Sequence, residues 1–260
     1  MPNLFAWAFQ GGLCLLLAAQ GSGWVQAQTA RGAWPANAVV QLIAVGPAGY
    51  GRSQECSATA LLLDSQGDLL TNAHVVARAR RCLDGQAGGR LLARPYGSSR
   101  LAAKAVPCQL VALDERRDLA LLRADLPFPL KPLSRLQFKE RRLPAGTRLE
   151  VAGFPAASWQ PVVQSGSVVG YQDERLISRS RKMTQMMVVE ASLRPGSSGS
   201  PVYLAEGKLV GMAEARLLHE PDKALVIPAR YITRFLASHH VLLGSRGRHD
   251  KPGSTGSRFP

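Results

Sequence analysis

Between residues 39 and 227 the chain is written as short apolar runs, each closed by Gly, Pro, Asp or another turn-forming residue. Runs of this length with such punctuation read as strands rather than helices. The pattern predicts strands at 39–45, 59–63, 69–71, 90–94, 102–106, 109–113 and 119–123. A second series is expected at 148–152, 162–169, 186–190, 201–204, 209–213 and 225–227. Residues 74–79 read as one or two helical turns, which places His74 where a strand gives way to a helix. A longer helix is expected over 232–243, where Ile232, Phe235 and Leu236 recur at helical spacing. Residues 125–136 hold three prolines. Those exclude a helix and a central strand alike, and mark a linker between two halves. The pattern by itself gives an all-β domain.

The ends differ from this middle. Residues 1–30 carry no charged side chain, and Leu13 to Ala19 is an apolar run followed by Val25-Gln26-Ala27. That is a small-x-small cleavage pattern, so residues 1–27 read as a signal peptide and Gln28 as the mature start, and a secreted or periplasmic location is expected. A retained anchor is the alternative, but Gln10, Gly11 and Gly12 interrupt the run before it reaches membrane-spanning length. Residues 244–260 lack apolar periodicity and read as a basic disordered tail. The chain holds 32 Lys+Arg against 18 Asp+Glu, a formal charge of +14. The basic residues, Arg78, Arg116, Arg142 and Arg179 among them, are scattered without interleaved aromatics, so no specific nucleic-acid platform is expected. Attraction to acidic substrates or an anionic envelope is the inference left. Cys14 would leave with the signal, so Cys56, Cys82 and Cys108 allow one intrachain disulfide at most. No Cys/His spacing of the zinc-binding kind occurs; neither a metal nor a cofactor is expected.

Three stretches carry chemistry: Thr71-Asn72-Ala73-His74-Val75-Val76, Arg117-Asp118-Leu119-Ala120-Leu121-Leu122 and Arg194-Pro195-Gly196-Ser197-Ser198-Gly199-Ser200-Pro201-Val202. Taken singly, each has a plainer reading: a partly buried histidine, an exposed turn aspartate, a Ser/Gly turn between strands. Together they supply what acyl transfer needs. A serine hydroxyl is a weak nucleophile near neutral pH and needs a base, which an imidazole can be. A carboxylate on the far imidazole nitrogen fixes the tautomer. Small residues around the serine let backbone N–H groups converge on a developing oxyanion. His74 is therefore the candidate base, Asp118 its orienting acid and Ser198 the candidate nucleophile.

With those residues in that order, the chain resembles the chymotrypsin-fold serine proteases, and within them the HtrA-like bacterial branch. The matching stretches are TNAHVV (71–76), RRDLALL (116–122), GTRLEVAGFP (146–155), VVQSGSVVG (162–170), RPGSSGSPV (194–202), KLVGM (208–212) and ALVIPARYI (224–232). The resemblance implies two six-stranded antiparallel β-barrels with a C-terminal helix. The protease domain would run over 28–243, with barrel one at about 37–124 and barrel two at about 137–243. It implies a triad of His74, Asp118 and Ser198, and an oxyanion hole made by the N–H groups of Gly196 and Ser198. It also implies a pocket based near Ser192 and Leu193, walled by Ala213, Glu214, Ala215 and Arg216. Nothing at that base is acidic, so small to medium apolar side chains are expected before the cut. Cys56 and Cys82 are the disulfide expected by resemblance, with Cys82–Cys108 as the rival pairing. Ser197 stands where zymogen-type relatives have an Asp, so no activating cleavage is expected. Relatives often carry a PDZ domain downstream; the stretch after Gly244 is too short for one, and no PDZ-linked regulation is expected.

The function implied is an exported serine endopeptidase acting on protein or peptide substrates through an acyl-enzyme. Two other readings compete with it. One is a catalytically silent binding protein on the same fold, recognising polyanions or peptides. The other is a chaperone-protease that holds unfolded chains.

Overall fold

The computed structural model describes residues 38–45, 57–83, 90–96, 105–126, 137–175, 182–217 and 220–241. They form twelve strands in two closed antiparallel barrels of six, followed by a helix. The first barrel is built from β1 (Val39–Val45), β2 (Ser57–Leu62), β3 (Asp68–Thr71), β4 (Arg90–Pro95), β5 (Val106–Asp114) and β6 (Leu119–Ala124). Helix α1 (Ala73–Cys82) is inserted between β3 and β4. Around the barrel the strand order is β1-β2-β3-β6-β5-β4. The second barrel uses β7 (Arg148–Gly153), β8 (Val162–Arg175), β9 (Lys182–Glu190), β10 (Pro201–Tyr203), β11 (Leu209–Arg216) and β12 (Lys223–Pro228). Its order is β10-β11-β12-β9-β8-β7. Closure leaves neither sheet with an open edge to cap.

Burial shows why the runs look as they do. β5 alternates, with every second side chain more exposed, as a strand with one wet face must. β2, β3 and β10 are buried on both faces, because their outer faces turn toward the other barrel or the nucleophile loop. The apolar cluster inside barrel one, with Leu42, Leu61, Leu70 and Leu121, continues without a break to Tyr203, Met212 and Ile227 of barrel two and to Phe235 of the final helix. A second cluster, centred on Val151, Val189, Val202 and Val226, fills barrel two. The halves are thus welded by shared apolar surface, which water exclusion stabilises roughly in proportion to area.

Several boundaries differ from the sequence expectation. The final helix, α2, spans Ala229–Ser238 rather than 232–243. Pro228 at its N-cap starts it earlier, since its fixed φ suits a helix entry. It ends because His240 turns left-handed at φ 57°. The strands expected at 102–106 and 109–113 are one strand from Val106 onward, and residues 101–104 lie outside the described residues. β8 and β9 run well past their apolar cores as a long hairpin arm. A polar tip has no apolar alternation to announce it.

Residues 1–37 and 242–260 lie outside the described residues, and so do the signal-peptide and tail expectations. Cys56 does too, and only the backbone of Cys82, the last residue of α1, is described. Cys108 is a free thiol, so the rival Cys82–Cys108 bond is not formed. Among the described residues no helix is long and apolar enough to cross a membrane.

Candidate active site

His74 enters the site from the first turn of α1. β3 delivers the chain, Asn72 at the N-cap turns it, and the apolar residues Val75 and Val76 bury the helix against barrel one. Asp118 ends the turn between β5 and β6 in a left-handed conformation, φ 55°. An L-residue there is strained, and Asn72 holds it by donating its side-chain amide to the Asp118 carbonyl at 3.2 Å. The Asp118 side chain is fully buried. One carboxylate oxygen accepts the His74 backbone N–H at 2.8 Å, and the other meets His74 Nδ1 at 2.7 Å. An ionised carboxylate only accepts, so Nδ1 carries the proton and Nε2 is left as the base. His74 keeps 26 % of its side chain exposed, enough for that edge to reach a substrate.

Ser198 lies in the loop before β10. Within that loop the N–H of Ser197 donates to Arg194, that of Gly199 to Ala213 and that of Ser200 to Ser197, all at 3.0 Å. The N–H groups of Gly196 and Ser198 donate to no acceptor among the described residues. Two idle donors two residues apart, beside a serine, are what an oxyanion would occupy. The Ser198 hydroxyl itself rests on the Glu214 carbonyl at 3.2 Å.

The loop is held in place from barrel one. Thr59 of β2 is fully buried. Its N–H donates to the Ser198 carbonyl at 2.9 Å, and its hydroxyl donates to the Gly196 carbonyl at 2.9 Å while accepting the Phe154 N–H at 3.0 Å. Thr71 in turn donates to the Thr59 carbonyl at 2.8 Å. The approach is so close that only glycine fits at two points. At Gly199, φ +84°, a Cβ would stand 2.0 Å from the Thr59 carbonyl oxygen; at Gly196, φ +97°, it would stand 2.5 Å from that of Phe154.

Of the residues expected to form a pocket, Ser192 is exposed and Leu193 buried beside the nucleophile loop. Glu214 behaves differently from its neighbours. Ala213 pairs with Val226 and Ala215 with Leu225, so Glu214 is the extra residue of a β-bulge. A bulge re-aims a side chain. The Glu214 carboxylate is 6 % exposed and comes within 4.8 Å of ligating atoms of both His74 and Asp118. Its carboxylate lies beside the His–Asp pair. The three residues bring one imidazole and two carboxyl groups together, an arrangement that can relay a proton. The backbones of Ala215 and Arg216 continue β11, and their side chains lie outside the description.

Thr59 and Asn72 escaped the sequence reading, and Glu214 entered it only as a pocket residue implied by resemblance. Asn72 was visible beside His74 in Thr-Asn-Ala-His, but nothing local marks an asparagine that bonds a residue 46 positions away.

The fold and this site together define a trypsin-like serine peptidase domain, and the chain belongs to that family: the model of the trypsin-like peptidase domain matches residues 58–212, more than half of its length. Among curated proteins it is similar to serine protease HTRA1A of Danio rerio, 27 % identical over 205 residues, covering 78 % of this chain and 38 % of that protein. It is also similar to the uncharacterized protein y4bJ of Sinorhizobium fredii, 28 % identical over 159 residues, 61 % of this chain and 22 % of that one. The chain thus spans well under half the length of these relatives. Among solved structures, the active form of the Rv3671c protease from M. tuberculosis superposes with a TM-score of 0.59 at 20 % identity, covering 82 % of this chain and 84 % of that one. The HtrA-type protease AlgW, solved with a tripeptide, superposes at 0.60 with 21 % identity, covering 78 % and 60 %. These two likenesses concern the fold.

Proposed function

We propose that this protein is an exported serine endopeptidase with His74, Asp118 and Ser198 as its triad. The observations that carry the reading are the two-point bond from Asp118 to His74 and a serine whose loop leaves two N–H donors idle. In the proposed cycle the Ser198 hydroxyl rotates off the Glu214 carbonyl toward His74 Nε2. His74 takes its proton as Oγ attacks the peptide carbonyl, and the carbonyl oxygen becomes an anion facing the N–H groups of Gly196 and Ser198. His74 then protonates the departing amine. An acyl-enzyme on Ser198 remains, and water, activated by the same base, hydrolyses it.

Small to medium apolar side chains before the cut fit the reading, since neither Ser192 nor Leu193 offers a charge. Ser197 has no carboxylate to receive a new N-terminus, so protein beginning at Gln28 is active without trimming. Export rests on the leader-like first 27 residues. A fluorophosphonate probe tests the central claim. Labelling of wild type, lost in both Ser198→Ala and His74→Ala while Ser197→Ala keeps it, is the expected result. Turnover in the first two falls by several orders of magnitude, and the double variant is little worse. An unlabelled wild-type protein, folded by circular dichroism, would instead favour a catalytically silent binding protein.

A further inference from the structure

Three polar side chains stand in one row on the face of barrel one that turns toward barrel two. Gln41 of β1 pairs with Arg94 of β4 on one side and with Thr59 of β2 on the other, and partners in register share a face. All three are buried, the charged arginine included. Polar groups taken out of water need partners. The Gln41 oxygen accepts from Arg94, and its amide donates to Ser57 Oγ at 3.2 Å. The row also meets one segment that follows β7. Thr59 accepts the Phe154 N–H at 3.0 Å, Gln41 donates to the Ser158 carbonyl at 3.3 Å, and the Arg94 guanidinium lies 4.1 Å from the centre of the Trp159 ring. Barrel one thus grips residues 154–159 at three points, although Trp159 itself is 71 % exposed.

The gripped segment reaches the nucleophile loop. Ala156 is left-handed at φ 53°, which strains an L-residue, and its N–H donates to the Pro195 carbonyl at 2.6 Å. That carbonyl belongs to the same peptide unit as the Gly196 N–H. The two ends of a trans peptide point in opposite directions. Holding the oxygen at Ala156 therefore aims the Gly196 N–H away from the segment, where it meets no acceptor among the described residues. Resting on the serine-endopeptidase reading, we propose that residues 154–159 are a strap that aims the Gly196 donor of the oxyanion hole, and that Gln41, Arg94 and Trp159 are positioning residues for acyl transfer acting through it. The grips lie on both sides of Ala156, at Phe154 before it and at Ser158 and Trp159 after it, and they keep its strained backbone in place. With the later grips loosened, Ala156 relaxes and the Pro195–Gly196 peptide loses its aim. The bonds between His74 and Asp118 do not pass through the strap and stay as they are.

The labelling rate of the full-length protein with an alkyl fluorophosphonate reads the hole without any knowledge of the substrate. Ser198 Oγ bonds to phosphorus, fluoride leaves, the serine proton passes to His74, and the phosphonyl oxygen faces the two N–H donors. Trp159→Ala is an exposed change that should melt like wild type, yet its labelling is expected to be about fivefold slower. Trp159→Phe, which keeps a ring over Arg94, should recover most of the rate. Gln41→Glu keeps an acceptor for Arg94 but removes the donor to Ser158. A loss of about tenfold is expected there, short of the hundredfold or more that follows deletion of a donor outright. In every variant the pH midpoint of labelling should match that of wild type, because the His74–Asp118 pair is untouched. Wild-type labelling rates in both Trp159→Ala and Gln41→Glu overturn the inference. So does slower labelling with a displaced pH midpoint, since the triad rather than the hole would then be disturbed, and so does Trp159→Phe labelling as slowly as Trp159→Ala. Folded wild-type protein that is not labelled overturns the peptidase reading and this inference with it. Labelled wild type with indifferent variants overturns the inference alone.

Discussion

Thr59→Val is the most informative single change away from the triad. Valine matches threonine in shape, so the core around β2 stays filled, and only the hydroxyl is lost. That hydroxyl serves two buried backbone groups at once, the Gly196 carbonyl at 2.9 Å and the Phe154 N–H at 3.0 Å. Both become unpaired in a fully buried place, where each stranded group costs about 1–3 kcal/mol. The sum is about 2–6 kcal/mol, a large part of a typical domain's stability. Differential scanning calorimetry should show Tm lower by roughly 5–15 °C. The Gly196–Ser197 peptide, which lies between the two idle N–H groups, is also released from its anchor, so their aim loosens. Removing such a donor outright costs about a hundredfold or more in kcat; loosening it should cost about tenfold, with KM little changed. Thr59→Ser, which keeps the hydroxyl, should recover most of both losses. A Thr59→Val protein that melts within about 1 °C of wild type at unchanged kcat would refute the claim that barrel one braces the nucleophile loop.

Other changes probe the same architecture. Gly199→Ala drives a Cβ to 2.0 Å from the Thr59 carbonyl oxygen at φ +84°; loss of soluble folded protein or a fall in Tm beyond that of Thr59→Val is expected, and a native-like melt would contradict the packing. Glu214→Gln keeps the shape but replaces a buried carboxyl that comes within 4.8 Å of ligating atoms of His74 and Asp118; kcat should fall about tenfold at constant KM because the His74–Asp118 pair loses a proton-handling neighbour, and an unchanged kcat would make Glu214 structural only. Peptide mapping without reduction should find Cys56 joined to Cys82, a bond stabilising by about 3 kcal/mol on the loop-entropy account, and native alkylation of Cys56 would exclude it. Cys108, its thiol pushed up to about 12 by burial, should alkylate far more slowly in the folded than in the unfolded protein.

The sequence by itself determined the strand series, because short apolar runs closed by turn residues admit no other regular structure. It also singled out His74, Asp118, Gly196 and Ser198 as candidates, since each sits in a local pattern that suits its proposed chemistry. Its readings were weakest where the cause is not local. The long polar arm of β8 and β9 exists through cross-strand pairing, and the early start of α2 depends on Pro228 being the last residue of a strand. Thr59 reads as one more β-branched strand residue, yet it ties a loop 137 positions away to barrel one. Glu214 entered the sequence reading as part of a pocket wall implied by the family resemblance. Only the pairing of β11 with β12 shows the extra residue that turns its carboxylate toward His74 and Asp118. Periodicity along a chain encodes which face is buried; what that face meets is decided when the two barrels close on one another, and no single stretch of sequence contains both sides of that contact.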